Sequence, residues 1–220
     1  MKVYLVKTGV ANVASVTAAF KRLGADVQLT DDPSIVADAQ AVMLPGVGSF
    51  SAGMEALNEG GLAAALVERV VRGAPTLAVC LGLQLLGQTS EEAPDVPGLG
   101  FLPVDVVRIP DAPRLPHFGW NSVTWRAASA AGAPPPSGEA YFAHTYCLHD
   151  GSALRSAGWN VAETTEGSTF VSAIERGSVL ACQFHPELSG ALGVRTLQRW
   201  LTRAEGAVLP SDMTKGGLPW

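Results

Sequence analysis

Three runs in the first eighty residues constrain this chain more than any other feature: VYLV at 3–6, AVML at 41–44 and TLAV at 76–79 carry no charge and no polar–apolar alternation. Each is too short for a helix, and a strand without alternation has to bury both of its faces. Between the runs the spacing turns helical. After Asn12, an N-cap residue type, Val13, Val16, Phe20 and Leu23 recur at helical intervals before Gly24. A strand over 27–30, a helical turn opened by Asp32-Pro33, and helical segments over 55–57 and 62–71 continue the alternation. Strand–helix alternation of this kind implies a parallel sheet covered on both sides, and 47% hydrophobic residues in a chain of 220 suffice to cover it.

Beyond about residue 100 the texture changes. Strand-like runs at 104–109, 121–125, 141–148, 160–164, 169–174 and 179–184 are punctuated by turn signals, including Glu175-Arg176-Gly177-Ser178 and the loop Pro134-Pro135-Pro136-Ser137-Gly138. Residues 190–203 carry Leu192, Leu197 and Leu201 at helical spacing. The expected fold is α/β: a mostly parallel central sheet flanked by helices, with an additional antiparallel strand region in the second half. One domain is expected over 1–203, with 204–220 as a glycine- and proline-bearing tail.

Several function classes are disfavoured. The net charge is −5 and the basic residues are scattered, which argues against a polyanion partner. Three cysteines, Cys80, Cys147 and Cys182, do not make a disulfide framework. No run approaches the length of a membrane span, and MKVYLV leads straight into a strand, so a soluble cytoplasmic protein is expected. Charged residues make up 16%, against about 25% in an average protein, which hints at a permanent partner.

Chemistry concentrates in three places. In Thr76–Gln84 an apolar run meets Cys80 and then a glycine and a helical pattern. A tight strand-to-helix turn exposes such a residue, and the helix N-terminus favours a thiolate. By itself the segment also fits a packed thiol. In Gln183-Phe184-His185-Pro186-Glu187 a base and an orienting carboxylate stand two apart, on one face of an extended chain, as a thiol nucleophile requires. A strand-end turn with a solvated carboxylate fits that triplet equally until Cys80 is considered with it. In Leu44-Pro45-Gly46-Val47-Gly48-Ser49 two glycines free the backbone, so Val47 and Gly48, with Leu81 after the cysteine, are candidate N–H donors to an oxyanion.

Nucleotide and metal readings are weaker. Ser51 stands where a dinucleotide fingerprint needs its third glycine, and Gln88 where a P-loop needs lysine. His144-x-x-Cys147 and Cys182-x-x-His185 carry zinc-type residues, but residues three apart on a strand face opposite ways. No metal and no cofactor is expected, and His117 and His149 show no chemical partner in the sequence.

Taken together the motifs resemble the class I glutamine amidotransferases, in which a P-G-V-G strand, a C-x-G-x-Q elbow and an H-P-E triplet occur in that order. More narrowly, Ala11–Val16, Leu44–Phe50, Cys80–Leu86, PHFGWN at 116–121 and YFAHTY at 141–146 are similar to the glutaminase subunits of imidazole glycerol phosphate synthases. The resemblance covers about 1–203. It implies Cys80 as nucleophile, His185 as acid and base, Glu187 as its orienting carboxylate, and Gln84, Glu92, Thr145 and Tyr146 as contacts to substrate glutamine. It also implies a (β/α)8-barrel cyclase as partner in a 1:1 heterodimer that receives ammonia, with Tyr141 and His144 nearer that interface. Service to another synthase, or a non-catalytic regulatory subunit, are the alternatives. Family members often carry a basic residue directly after H-P-E, and here Leu188 stands in its place.

Overall fold

A computed structural model describes residues 1–8, 12–125 and 135–207. Pro134, part of the expected loop, lies outside the described residues, as does the tail from 208 on. The strands are β1 (Lys2–Val6), β2 (Asp26–Thr30), β3 (Val42–Leu44), β4 (Thr76–Val79), β5 (Val106–Arg108), β6 (His117–Trp125), β7 (Gly138–His144), β8 (Tyr146–Leu148), β9 (Asn160–Glu166), β10 (Ser168–Arg176) and β11 (Val179–Cys182). The helices are α1 (Val13–Arg22), α2 (Pro33–Asp38), α3 (Phe50–Glu59), α4 (Leu62–Val71), α5 (Leu81–Leu85), α6 (Gly151–Ser156) and α7 (Gly190–Gly206).

The strands form one mixed sheet in the order β2-β1-β3-β4-β11-β10-β9-β6-β7, with β5 and β8 branching from β10. β2, β1, β3, β4 and β11 run parallel, and from β10 onward the pairings are antiparallel. Within the parallel half β3, β4 and β11 are buried on both sides, which explains their unbroken apolar runs, whereas the edge strand β2 is largely exposed. Met43, Leu77, Val79 and Leu180 face one core with Val16 and Phe20 of α1 and Leu197 and Trp200 of α7. Val42, Leu44, Ala78 and Ala181 face the other with Leu57 of α3 and Leu66 of α4. Side chains alternate across a strand, so each run has to satisfy two cores at once. No helix among the described residues is long and apolar enough to cross a membrane.

Helix starts follow their sequence signals. Asn12 Oδ1 accepts from Ser15 N–H, Asp32 Oδ1 from Ser34 N–H with Pro33 at the first position of α2, and Ser49 Oγ from Ala52 N–H. Several elements differ from expectation: α3 starts at Phe50 and not at 55, β6 at His117 and not at 121, and α7 runs on to Gly206. The run 141–148 is two strands, because Thr145 turns the chain between β7 and β8, and the six-residue α6 had no periodic signal to announce it.

Candidate active site

Cys80 sits where β4 passes into α5, with φ 54° and ψ −110°. That is a strained backbone for a non-glycine residue, of a kind that structures keep at functional turns. Neighbouring strands hold it: Cys80 N–H donates to Cys182 O at 2.7 Å, and Leu83 and Gln84 N–H donate to Cys80 O. The amide of Leu81 opens the helix, where it lacks an intrahelical acceptor.

The segment after β3 lies against this elbow, backbone to backbone. A Cβ on Gly46 would meet Leu81 Cβ and Gly82 N, and one on Gly82 would meet Leu44 O. Gly48 has φ 103°, open to glycine and strained for other residues. Val47, Gly48, Cys80, Leu81, Gln84 and Glu92 line a cavity of 340 Å3 together with Pro116, Phe118, 143–146 and His185.

His185 arrives just beyond the end of β11, which pairs in parallel with β4, so the two strand ends bring it beside Cys80. Its Nδ1 lies 3.0 Å from Glu187 Oε1. The geometry differs from the extended chain expected: Pro186–Leu188 forms a turn of 3-10 helix, and this turn folds the carboxylate back onto the ring. Burial disfavours the charged imidazole, but hydrogen bonds to Cys80 and Glu187 and their negative charge outweigh it, raising the His185 pKa to about 10. The ring is therefore charged near neutral pH and donates from both nitrogens. Glu187 is itself buried, and its Oε2 has no hydrogen-bond partner among the described residues.

The remaining expected contacts also converge on the cavity. Glu92 Oε2 accepts from Phe50 N–H at 2.8 Å, tying the first turn of α3 to the cavity wall. Thr145 and Tyr146 line the wall opposite, where Tyr146 O accepts from Gln84 Nε2 at 2.7 Å and Thr145 O from Ile109 N–H. His144, expected toward a partner surface, is instead 6% exposed. Its Nδ1 donates to Tyr146 O at 2.9 Å, and its Nε2 lies 3.2 Å from Nδ1 of His117, which in turn stacks on Phe142. Burial among these rings pushes the His144 pKa down to about 3 and lowers that of His117. His117 thus has a partner that the sequence did not reveal. Tyr141 is half-buried, edge-on to exposed Trp120. Sequence reasoning also passed over Gln183, whose Nε2 lies 3.6 Å from Cys80 Sγ. The signal was present, since Gln183 stands two residues before His185 in a strand continuation.

Among the described residues no cluster of three or more His, Cys, Asp or Glu is arranged to hold a metal ion. The arrangement suits attack by a sulfur on a small polar carbonyl compound, with a charged imidazole to protonate what leaves.

The model of the glutamine amidotransferase class-I family matches residues 5–202. The imidazole glycerol phosphate synthase subunit HisH of Moorella thermoacetica is 41% identical over 198 residues, 89% of this chain and 92% of that protein. HisH of Methanopyrus kandleri is 42% identical over 209 residues, 93% and 99% of the two chains. A longer imidazole glycerol phosphate synthase, hisHF of Emericella nidulans, is 35% identical over 211 residues, 92% of this chain and 38% of that one. A crystal structure of a glutamine amidotransferase shares the fold at a TM-score of 0.70 and 22% identity, over 92% of this chain and 98% of that one.

Proposed function

The chain belongs to the class I glutamine amidotransferases, and from that premise we propose that it is the glutaminase subunit of an imidazole glycerol phosphate synthase, acting through Cys80, His185 and Glu187. The observation that carries the mechanism is the placement of His185, 3.0 Å from Glu187 and beside Cys80, in a cavity lined by Val47, Gly48 and Leu81.

The Cys80 thiolate attacks the carboxamide carbon of glutamine, and the carbonyl electrons move onto oxygen. N–H groups of the Val47–Gly48 segment and of Leu81 hold that oxyanion. His185 gives its Nε2 proton to the nitrogen, the C–N bond breaks, and ammonia leaves a glutamyl thioester. Neutral His185 then takes a proton from water, whose oxygen attacks the thioester and releases glutamate and the thiolate. Glu187 keeps the ring oriented and compensates its charge through both halves of the cycle. Gln84, Glu92 and the chain at Thr145 and Tyr146 position the amino-acid end.

Ammonia is consumed by a cyclase partner, a (β/α)8 barrel bound 1:1. The longer relative hisHF, of which this chain matches 38%, supports a partner that is elsewhere covalently joined. Phe118, 66% exposed at the cavity, and Trp120 beside it are apolar surface that a partner would cover. A cytoplasmic setting, where thiols stay reduced, suits a chain whose three cysteines are all free.

The test is release of ammonia from glutamine by wild-type and Cys80→Ala protein, alone and with the cyclase and its phosphoribosyl ligand. Release that rises with the cyclase and vanishes in Cys80→Ala is expected. Release that persists in Cys80→Ala would overturn the thiol mechanism, and indifference to the cyclase would direct the ammonia to another synthase.

A further inference from the structure

Donor and acceptor bookkeeping behind the cavity fixes the orientation of two buried amides. Tyr146 O is a carbonyl and can only accept, so the amide nitrogen of Gln84 faces it, at 2.7 Å. The same nitrogen lies 3.1 Å from the nearer amide atom of Gln183, which therefore has to be the carbonyl oxygen Oε1. Both hydrogens of Gln84 Nε2 are then used. The Gln183 amide has one end left, its NH2 group, and that end lies 3.6 Å from Cys80 Sγ. Gln183 is fully buried and Gln84 5% exposed, so neither amide is free to turn toward solvent. The far end of the chain is anchored as well, because His144 Nδ1–H donates to the same Tyr146 carbonyl.

We propose that Gln183 is a catalytic residue of this site: its side-chain N–H donates to the Cys80 sulfur and holds the attacking thiolate as a second donor beside His185. This rests on Cys80 being the nucleophile. Gln183 transfers no proton. It remains a neutral amide throughout, lending a fixed dipole to the sulfur in the two states in which it is a thiolate, before the attack on glutamine and as the thioester breaks. Gln84 sets this geometry indirectly, since it keeps Gln183 from presenting its carbonyl oxygen, a repulsive neighbour for a thiolate.

Iodoacetamide alkylation of Cys80 reads the thiolate without calling on the glutamine contacts, and Cys147 and Cys182, both fully buried, stay silent in the folded protein. In Gln183→Met, which keeps the volume and removes the donor, alkylation at pH 7 is expected to slow by about 10-fold. In Gln183→Glu, which keeps the shape and sets an acceptor against the sulfur, the slowing is greater, and ammonia release falls in both variants. A thermal melt on each variant checks folding, and Gln183→Asn, which withdraws the amide by one methylene, serves if the others do not fold. Alkylation profiles that superimpose on wild type in a folded variant would overturn the role of Gln183 alone. A wild-type protein in which Cys80 does not react, or in which Cys80→Ala still hydrolyses glutamine, would overturn both the proposal and the reading of the site beneath it.

Discussion

At His185 burial and hydrogen bonding pull in opposite directions and the hydrogen bonds prevail, so the ring stays protonated beside Cys80. The hydrogen bond to Cys80 leads that support, followed by the one to Glu187. Replacing Glu187 by Gln keeps the shape and removes the charge, and kcat for ammonia release is expected to fall by about 100- to 10,000-fold; a loss of only a few-fold would make Glu187 a spectator. His144 is the opposite case, a ring kept neutral by burial, with a pKa of about 3 against 6.5 in the unfolded chain. As pH falls below 6.5 the unfolded state takes up a proton that the folded state refuses, so stability is lost with acid, at up to about 1.4 kcal/mol per pH unit. Urea unfolding between pH 7 and 5 should show this slope, and His144→Asn should flatten it. The convergence of Cys80 and His185 on one cavity was readable because the strand–turn–helix and H-P-E patterns are local. The His117–His144 contact was not, since the two stand 27 residues apart in sequence and only the β6–β7 register brings them opposite each other.

Elements meet here through backbone as much as through side chains. The segment after β3 lies so close to α5 that Gly46 and Gly82 have no room for a methyl group, and Gly48 continues it at positive φ. Gly48→Ala strains that turn, and if its N–H is an oxyanion donor kcat should drop by about 100- to 1000-fold while iodoacetamide still alkylates Cys80. Equal loss of both would mean that the elbow itself had moved. On the other flank, buried Arg69 of α4 donates to the carbonyls of Val36, Ala37, Gln40 and Pro75, binding α2 and the starts of β3 and β4 to the helix. Arg69→Lys cannot span that fan of acceptors and should destabilise the protein by about 2–4 kcal/mol in urea unfolding; a change under 1 kcal/mol would show that the carbonyls find other donors. The doubly buried strands were legible because each had to be apolar on both faces. β6 begins four residues before the sequence suggested, at His117, because Gly119 interrupts a segment whose exposed face carries Phe118 and Trp120.

Across the whole molecule the parallel half of the sheet closes only when β11, near the end of the chain, enters between β4 and β10. Such distant pairing is slow compared with helix formation. Refolding from urea should therefore restore far-UV circular dichroism before it restores ammonia release, and coincident recovery would argue against late entry of β11. The same topology bears on synthesis at the ribosome. Cys80 emerges about a hundred residues ahead of His185, which at ordinary translation speeds is on the order of ten seconds. During that interval the thiol of the nascent chain has no His185 beside it. On the proposed mechanism, nucleophile and base meet only once the polypeptide is nearly complete.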